Sequence, residues 1–167
     1  MTPYLLVHEM KRMLRNLNAW LSRADAHAQA KKYDTLVLVQ SRLAPDMLSL
    51  VHQVRIACDT AKFAAARVTG REPPSHADTE TTFAELSERI AKVLAYLDTY
   101  TEADFTDVDG RSLSLRAFEG KSMMALDYLV EHAVPNFFFH VTTAYAILRH
   151  NGVDLGKRDF IGALSLR

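Results

Sequence analysis

Two polar side chains on one flank of a helical stretch near the end of the chain are the strongest candidates for chemistry. In the segment Val134 to Gly152, Asn136 and His140 are four residues apart, so both point the same way from a helix. Of this pair only His140 titrates near neutral pH, which suits a general acid or base, while Asn136 offers amide donors and acceptors. With Thr143 they form a polar strip beside an apolar seam, and such a strip predicts a pocket.

The elements that must position this strip are helices. Pro135 stands where a helix tolerates a missing N–H, and Gly152 stands just past the last periodic residue, so both ends of the last long helix are marked. Its buried seam steps by three and four through Val134, Phe137, Val141, Ala144 and Leu148.

A second long helix is predicted from Ala44 to Thr69, with Asp46 in its first turn and Gly70 at its end. Its seam is Met47, Leu50, Val54, Ala57, Ala61, Ala64 and Val68, and Gln53 and Thr60 flank that seam on one side. Ile56 and Phe63 lie off the seam, which indicates a second buried surface against a neighbouring helix or a partner subunit.

The remaining elements are predicted from hydrophobic periodicity and from residues that start or end helices. A first long helix begins at Thr2 and Pro3, and the run 33–43 predicts a short helix in a connection, although its TLVLV is also acceptable as a strand. A third long helix is predicted from Thr79 to Tyr100, capped by Asp78 or Thr79. Its solvent-exposed face is predicted to carry Glu85, Glu88, Arg89 and Lys92.

After the third helix the hydrophobic pattern changes from helical spacing to alternation. Alternation and a turn at Glu119–Gly120 predict a small hairpin from Ser112 to Met124. A short helix from Leu126 to His132 should stop before Pro135, with a kink. In the tail, the apolar residues Phe160, Ile161, Leu164 and Leu166 can dock on the helices. These elements predict an all-α fold, an antiparallel four-helix bundle with a small β-hairpin before the last helices, in one domain spanning 1–167.

Composition excludes several function classes. Twenty basic residues balance twenty acidic ones, which disfavours nucleic-acid and membrane partners. The N-terminal segment matches neither a signal peptide nor a membrane span, and one cysteine excludes a disulfide framework, so a cytoplasmic protein is expected. Cys58 fits packing better than nucleophilic chemistry, and Asp59 and Lys62 are predicted to be surface residues.

Four segments resemble the DinB-like superfamily, and more closely its branch known as a domain of unknown function. They are RLAPDM (42–47), QVRIACDTAK (53–62), PNFFFHVTTAYAILRHNGV (135–153) and GKRDFIG (156–162), so the resemblance runs over nearly the whole chain. It implies the bundle, a homodimer as in many members, and descent from a metal-binding site.

The resemblance also shows where this sequence departs from better-studied relatives, in which three histidines bind a divalent metal. Here the matching positions are His140, Asn136 and Gln53, with His52 the less favoured alternative to Gln53. Amides bind Zn²⁺ or Ni²⁺ poorly compared with imidazole, so a metal cofactor is disfavoured and no other cofactor is expected.

Two function classes follow. In the first, a small molecule binds between the second and last long helices, in a pocket lined by Gln53, Asn136, His140 and Tyr145, with His140 as acid or base. Thiol-dependent transfer or isomerisation, known in some DinB-like relatives, is the runner-up chemistry. In the second, the chain is a non-catalytic bundle that acts through its dimer face, and His140 is a core-edge histidine satisfied by a hydrogen bond.

Overall fold

Helices make up most of the computed structural model, which describes residues 2–115 and 119–166. In chain order they are α1 (Pro3–Lys31), α2 (Leu36–Val39), α3 (Leu50–Thr69), α4 (Phe83–Leu97), α5 (Ala125–Asp127), α6 (Val134–His150) and α7 (Lys157–Ile161). A 3-10 turn (Glu102–Phe105), two short strands, β1 (Ser112–Leu113) and β2 (Met123–Met124), and a π-helical turn (Tyr128–Ala133) complete the described elements.

One apolar core lies between the four long helices. α3 packs on α6 and α4, while α1 packs on α4, α6 and α3. Fully buried seam residues come from all four, among them Leu14, Leu17, Val54, Ala61, Ile90, Val93, Phe137 and Val141. Burying each large side chain stabilises the fold by roughly 1.5–3 kcal/mol, so these seams dominate its stability.

α3 begins later than its sequence pattern predicts. The Leu50 N–H donates to the Ser41 carbonyl at 2.9 Å and the Met47 N–H to the Ala44 carbonyl at 3.0 Å, so residues 41–49 form a bonded connection. Asp46 is exposed in that connection, and its predicted place in the first turn of the helix was wrong. These turn bonds use the backbone groups that a longer helix would need.

α4 also begins later than predicted, at Phe83. Thr82 Oγ1 accepts from the Glu85 N–H at 3.2 Å, and Glu85 Oε2 accepts from the Thr82 N–H at 2.9 Å. This reciprocal capping box satisfies two free donors at once, which neither Asp78 nor Thr79 can do so far ahead of the apolar face. Both predicted caps lie in the preceding loop instead.

The approach to α6 is continuous, and the predicted stop before Pro135 was wrong. Val134 has φ −63° and ψ −53°, which is helical geometry. The π-helical turn before it bonds N–H groups to carbonyls five residues earlier, so the chain reaches the proline, which has no N–H, without a break. The far end is as predicted, because Gly152 has φ +87° just after α6.

Smaller elements follow the sequence pattern closely. α2 is the predicted short helix, and Thr2 caps α1 with Pro3 in its first turn. β1 and β2 pair antiparallel with Ser112 opposite Met124, as the predicted hairpin requires, although residues 116–118 of its connection lie outside the described residues. No helix in the described part of the chain is long and apolar enough to cross a membrane.

The tail packs on α1 through one aromatic cluster. Trp20 stacks on Phe160 with ring centroids 5.5 Å apart, and its indole N–H donates to the Asp159 carbonyl at 3.1 Å. Phe160 therefore docks as predicted, whereas Leu164 and Leu166 are 62% and 85% exposed and do not.

Candidate functional site

The structure brings His140 of α6 and Gln53 of α3 into direct contact. His140 Nδ1 lies 2.7 Å from Gln53 Oε1, and Gln53 Nε2 donates to the Leu48 carbonyl at 2.8 Å. Gln53 is 1% exposed and His140 is 8% exposed. The late start of α3 matters here, because Leu48 lies in the connection before the helix and its carbonyl is directed at the glutamine side chain.

This chain of contacts fixes the tautomer of His140. The Leu48 carbonyl can only accept, so the Gln53 amide must turn its NH₂ group towards Leu48 and its oxygen towards His140. His140 Nδ1 must then carry the proton and donate it to that oxygen. A neutral imidazole therefore keeps its lone pair on Nε2.

Burial also sets the charge of His140. Removal from water lowers the pKa of its imidazole below the ordinary value of 6.5, so the ring is neutral at pH 7. Among the described residues His140 Nε2 has no hydrogen-bond partner. The site thus presents one neutral, oriented nitrogen base.

Asn136 lies beside this pair but bonds elsewhere. Its Nδ2 donates to Thr60 Oγ1 at 2.8 Å, so the two polar residues that flank the seam of α3 each meet one polar residue of α6. Tyr145 faces another way: it packs on Trp20 and Phe160, and its hydroxyl donates to the Leu155 carbonyl at 3.4 Å.

The donor set does not fit the three-histidine metal site of better-studied DinB-like relatives. One imidazole nitrogen is free, Gln53 Oε1 accepts from His140, and Asn136 can offer only its amide oxygen, since its Nδ2 donates to Thr60. Amide oxygens are weak ligands for Zn²⁺ or Ni²⁺, so one imidazole has to hold the ion almost alone. Within residues 2–115 and 119–166, no three His, Cys, Asp or Glu side chains are placed to hold a metal ion.

A buried charged cluster lies between α3, α4 and the loop that precedes α4, and the sequence pattern misplaced two of its members. Arg89 and Lys62 are each 2% exposed, so the predictions of a wet face for Arg89 and a surface position for Lys62 were wrong. One signal was available for Arg89, which stands three residues after Leu86 and four before Val93 and so lies on the apolar seam of α4.

Carboxylates from the loop and from α3 compensate Arg89. Its Nη1 donates to Asp78 and Glu80 at 2.8 and 2.9 Å, and its Nη2 donates to Asp59 at 2.9 Å. Buried charges are tolerated only when they are paired in this way. The buried Cys58 thiol beside this cluster has its pKa raised to about 12 by desolvation, which keeps it protonated and unreactive at pH 7.

Comparisons with known proteins agree with this architecture. The family described as "Domain of unknown function (DUF1993)" matches residues 4–161. A crystal structure of a DinB family member protein from Shewanella denitrificans is 49% identical and superimposes with a TM-score of 0.94, covering 98% of this chain and 94% of that one. No curated protein matches the sequence. The chain therefore belongs to the DinB family, in its branch described as a domain of unknown function (DUF1993).

Proposed function

We propose that this protein binds a small polar molecule between α3 and α6, and that His140 Nε2 accepts a hydrogen bond or a proton from it. One observation carries the proposal: Gln53 Oε1, 2.7 Å from His140 Nδ1, orients a neutral imidazole and leaves its other nitrogen free. A core histidine with only a packing role does not need a glutamine that is itself locked by a backbone carbonyl.

The same proposal includes an antiparallel four-helix bundle of the DinB-like kind. It is supported by the order of the two polar contacts, because Gln53 meets His140 while Thr60, further along α3, meets Asn136, earlier in α6. The two helices therefore run in opposite directions past the site. In this proposal the ligand lies between these two pairs of residues.

The test is ligand screening by NMR on protein labelled with ¹⁵N at histidine. At pH 7.5, His140 should show the tautomer with the proton on Nδ1, and a polar ligand should shift its Nε2 signal. His140→Ala should lose this ligand and keep its fold. The matched control is His150→Ala, which changes an exposed histidine on the same helix.

Two results oppose the proposal. One is a His140 ring protonated on Nε2 in the free protein. The other is a ligand set that binds His140→Ala as well as the unmodified chain, which assigns the histidine to packing alone.

A second candidate function is a non-catalytic protein that works through a homodimer face. The observation that favours it is a group of exposed large apolar side chains between residues 36 and 48: Leu36, Val37, Leu43 and Leu48. Exposed apolar patches are found at protein–protein interfaces. A homodimer in solution, together with no change in the His140 signals when ligands are added, selects this alternative.

A further inference from the structure

The free hydrogen-bonding atoms between α3 and α6 restrict the kind of molecule that can bind there. His140 Nε2 has a lone pair and no hydrogen-bond partner among the described residues. Arg89 Nε is a fully buried atom without a partner, whereas His140 Nε2 keeps contact with solvent. A ligand can therefore reach this nitrogen, and it must bring an N–H or O–H donor to it.

The neighbouring pair of polar residues offers one acceptor and one donor. Asn136 Nδ2 donates to Thr60 Oγ1, which leaves the Asn136 amide oxygen to accept and the Thr60 hydroxyl proton to donate. Asn136 stands one helical turn before His140 on the same side of α6, so their Cβ atoms are roughly 5–6 Å apart. A ligand between the two pairs thus meets two acceptors and one donor.

A charged ligand finds no opposite charge on these two helices. Between Val134 and Leu148, α6 carries no Asp, Glu, Lys or Arg. The charged residues of α3 have partners outside α6: three belong to the ion-pair cluster around Arg89, and one donates to the Tyr128 hydroxyl. They are Arg55, Asp59, Lys62 and Arg67. Moving an unpaired charge out of water is costly, so this site favours an uncharged molecule.

Phe139 provides an aromatic contact beside the free nitrogen. Its side chain is 55% exposed, and its ring stands at 90° to the His140 ring with centroids 5.2 Å apart. An exposed phenyl ring can pack against a second ring in an offset-stacked or edge-to-face arrangement. The site therefore combines one oriented base with one apolar ring.

We propose that the site between α3 and α6 binds an uncharged aromatic hydroxyl compound, a phenol in the broad sense. Its hydroxyl donates to His140 Nε2, its ring packs against Phe139, and a second hydroxyl group on the ring meets Thr60 and Asn136. This inference rests on the function proposed above and adds the chemical class of the ligand.

NMR titration of the chain labelled with ¹⁵N at histidine, at pH 7.5, tests this class of ligand. The hydroxyl probes are phenol, catechol and resorcinol. They are compared with anisole, which has no donor, and with benzoate and benzylamine, which are charged. At least one hydroxyl probe should shift the His140 Nε2 signal and bind about tenfold more tightly than each comparison probe, because anisole leaves Nε2 unpaired and the other two bring an uncompensated charge.

Substitutions locate the bound ring. Phe139→Ala should weaken binding of the hydroxyl probe by about fivefold, whereas Val130→Ala, which shortens a side chain that is 58% exposed on the π-helical turn, should not. His140→Ala should abolish the binding. If that variant fails to fold, Phe139→Ala provides the test at an exposed position.

The proposal is overturned if no hydroxyl probe binds at millimolar concentration, if anisole, benzoate or benzylamine binds as tightly, or if Val130→Ala has the same effect as Phe139→Ala. A charged probe that shifts the His140 Nε2 signal and is lost in His140→Ala overturns the class of ligand and leaves the proposed function standing. Hydroxyl probes that bind His140→Ala as tightly as the unmodified chain overturn both.

Discussion

The tautomer of His140 is determined by residues outside the helix that carries it. The Leu48 carbonyl orients Gln53, and Gln53 orients the ring, so a backbone group in a connection determines which imidazole nitrogen can react. Replacing Gln53 by Glu would remove the NH₂ group that the Leu48 carbonyl requires. The base at this site is therefore a property of three residues and not of one.

The lowered pKa of His140 predicts a pH dependence of stability. Below the unfolded value of 6.5 the unfolded chain binds a proton that the folded chain resists, so the free energy of unfolding falls as pH drops from 6.5 towards the folded pKa. His76 contributes in the same direction. Urea denaturation of the unmodified chain at pH 7.5, 6.5 and 5.5 should show this loss, and His140→Gln should reduce it.

The comparison is restricted to pH above 5 for a physical reason. Glu80, Glu85, Asp104 and Asp159 have lowered pKa values, and the stability they provide is present above their unfolded values and lost in more acidic solution. An identical pH slope in His140→Gln and the unmodified chain contradicts the buried neutral imidazole.

Adding a second imidazole beside His140 should raise the affinity of the chain for zinc. Asn136→His places two histidines four residues apart on one face of α6, where both can reach one ion. We expect zinc to bind this variant at least about tenfold more tightly than the unmodified chain in chelator competition. Thr142→His, which adds a histidine at an exposed position two residues from His140, is the control, and equal gains in both variants oppose the shared face.

Substitutions at the N-terminal cap of α4 test where this helix begins. Thr82→Ala removes the hydroxyl that accepts from the Glu85 N–H and should lower the free energy of unfolding by about 1 kcal/mol. Thr79→Ala changes the cap predicted from sequence and should have little effect, because Thr79 lies in the loop. Equal losses in urea denaturation contradict the observed boundary.

The existence of the long helices was predictable from sequence, whereas the starts of α3 and α4 and the charged cluster around Arg89 were not. Three-four spacing identified the seams of α3 and α6 and placed Asn136 and His140 on one side of a helix. The burial of Arg89 depends on Asp78 and Glu80 in a loop and on Asp59 in another helix, up to 30 residues away. Patterns within one helix contain no information about such partners, so a charged residue beside the seam is read as solvated.

We expect the protein to form a homodimer. Ile56 and Phe63 of α3 are only half-buried in the single chain, and the large apolar residues between 36 and 48 are exposed. Association removes such surface from water. Sedimentation velocity at micromolar concentration should give twice the chain mass of 18.8 kDa, and a single monomer peak contradicts this expectation.

The aromatic cluster that joins α1 to the tail has an optical consequence. Trp20 is the one tryptophan of the chain, is 1% exposed, and touches rings from α6 and α7. Its emission should therefore lie towards the blue and move to the red when the last segment detaches, even while far-ultraviolet circular dichroism still records intact long helices. Fluorescence and dichroism followed together along one denaturation curve thus distinguish release of the tail from loss of the whole fold, with no added label.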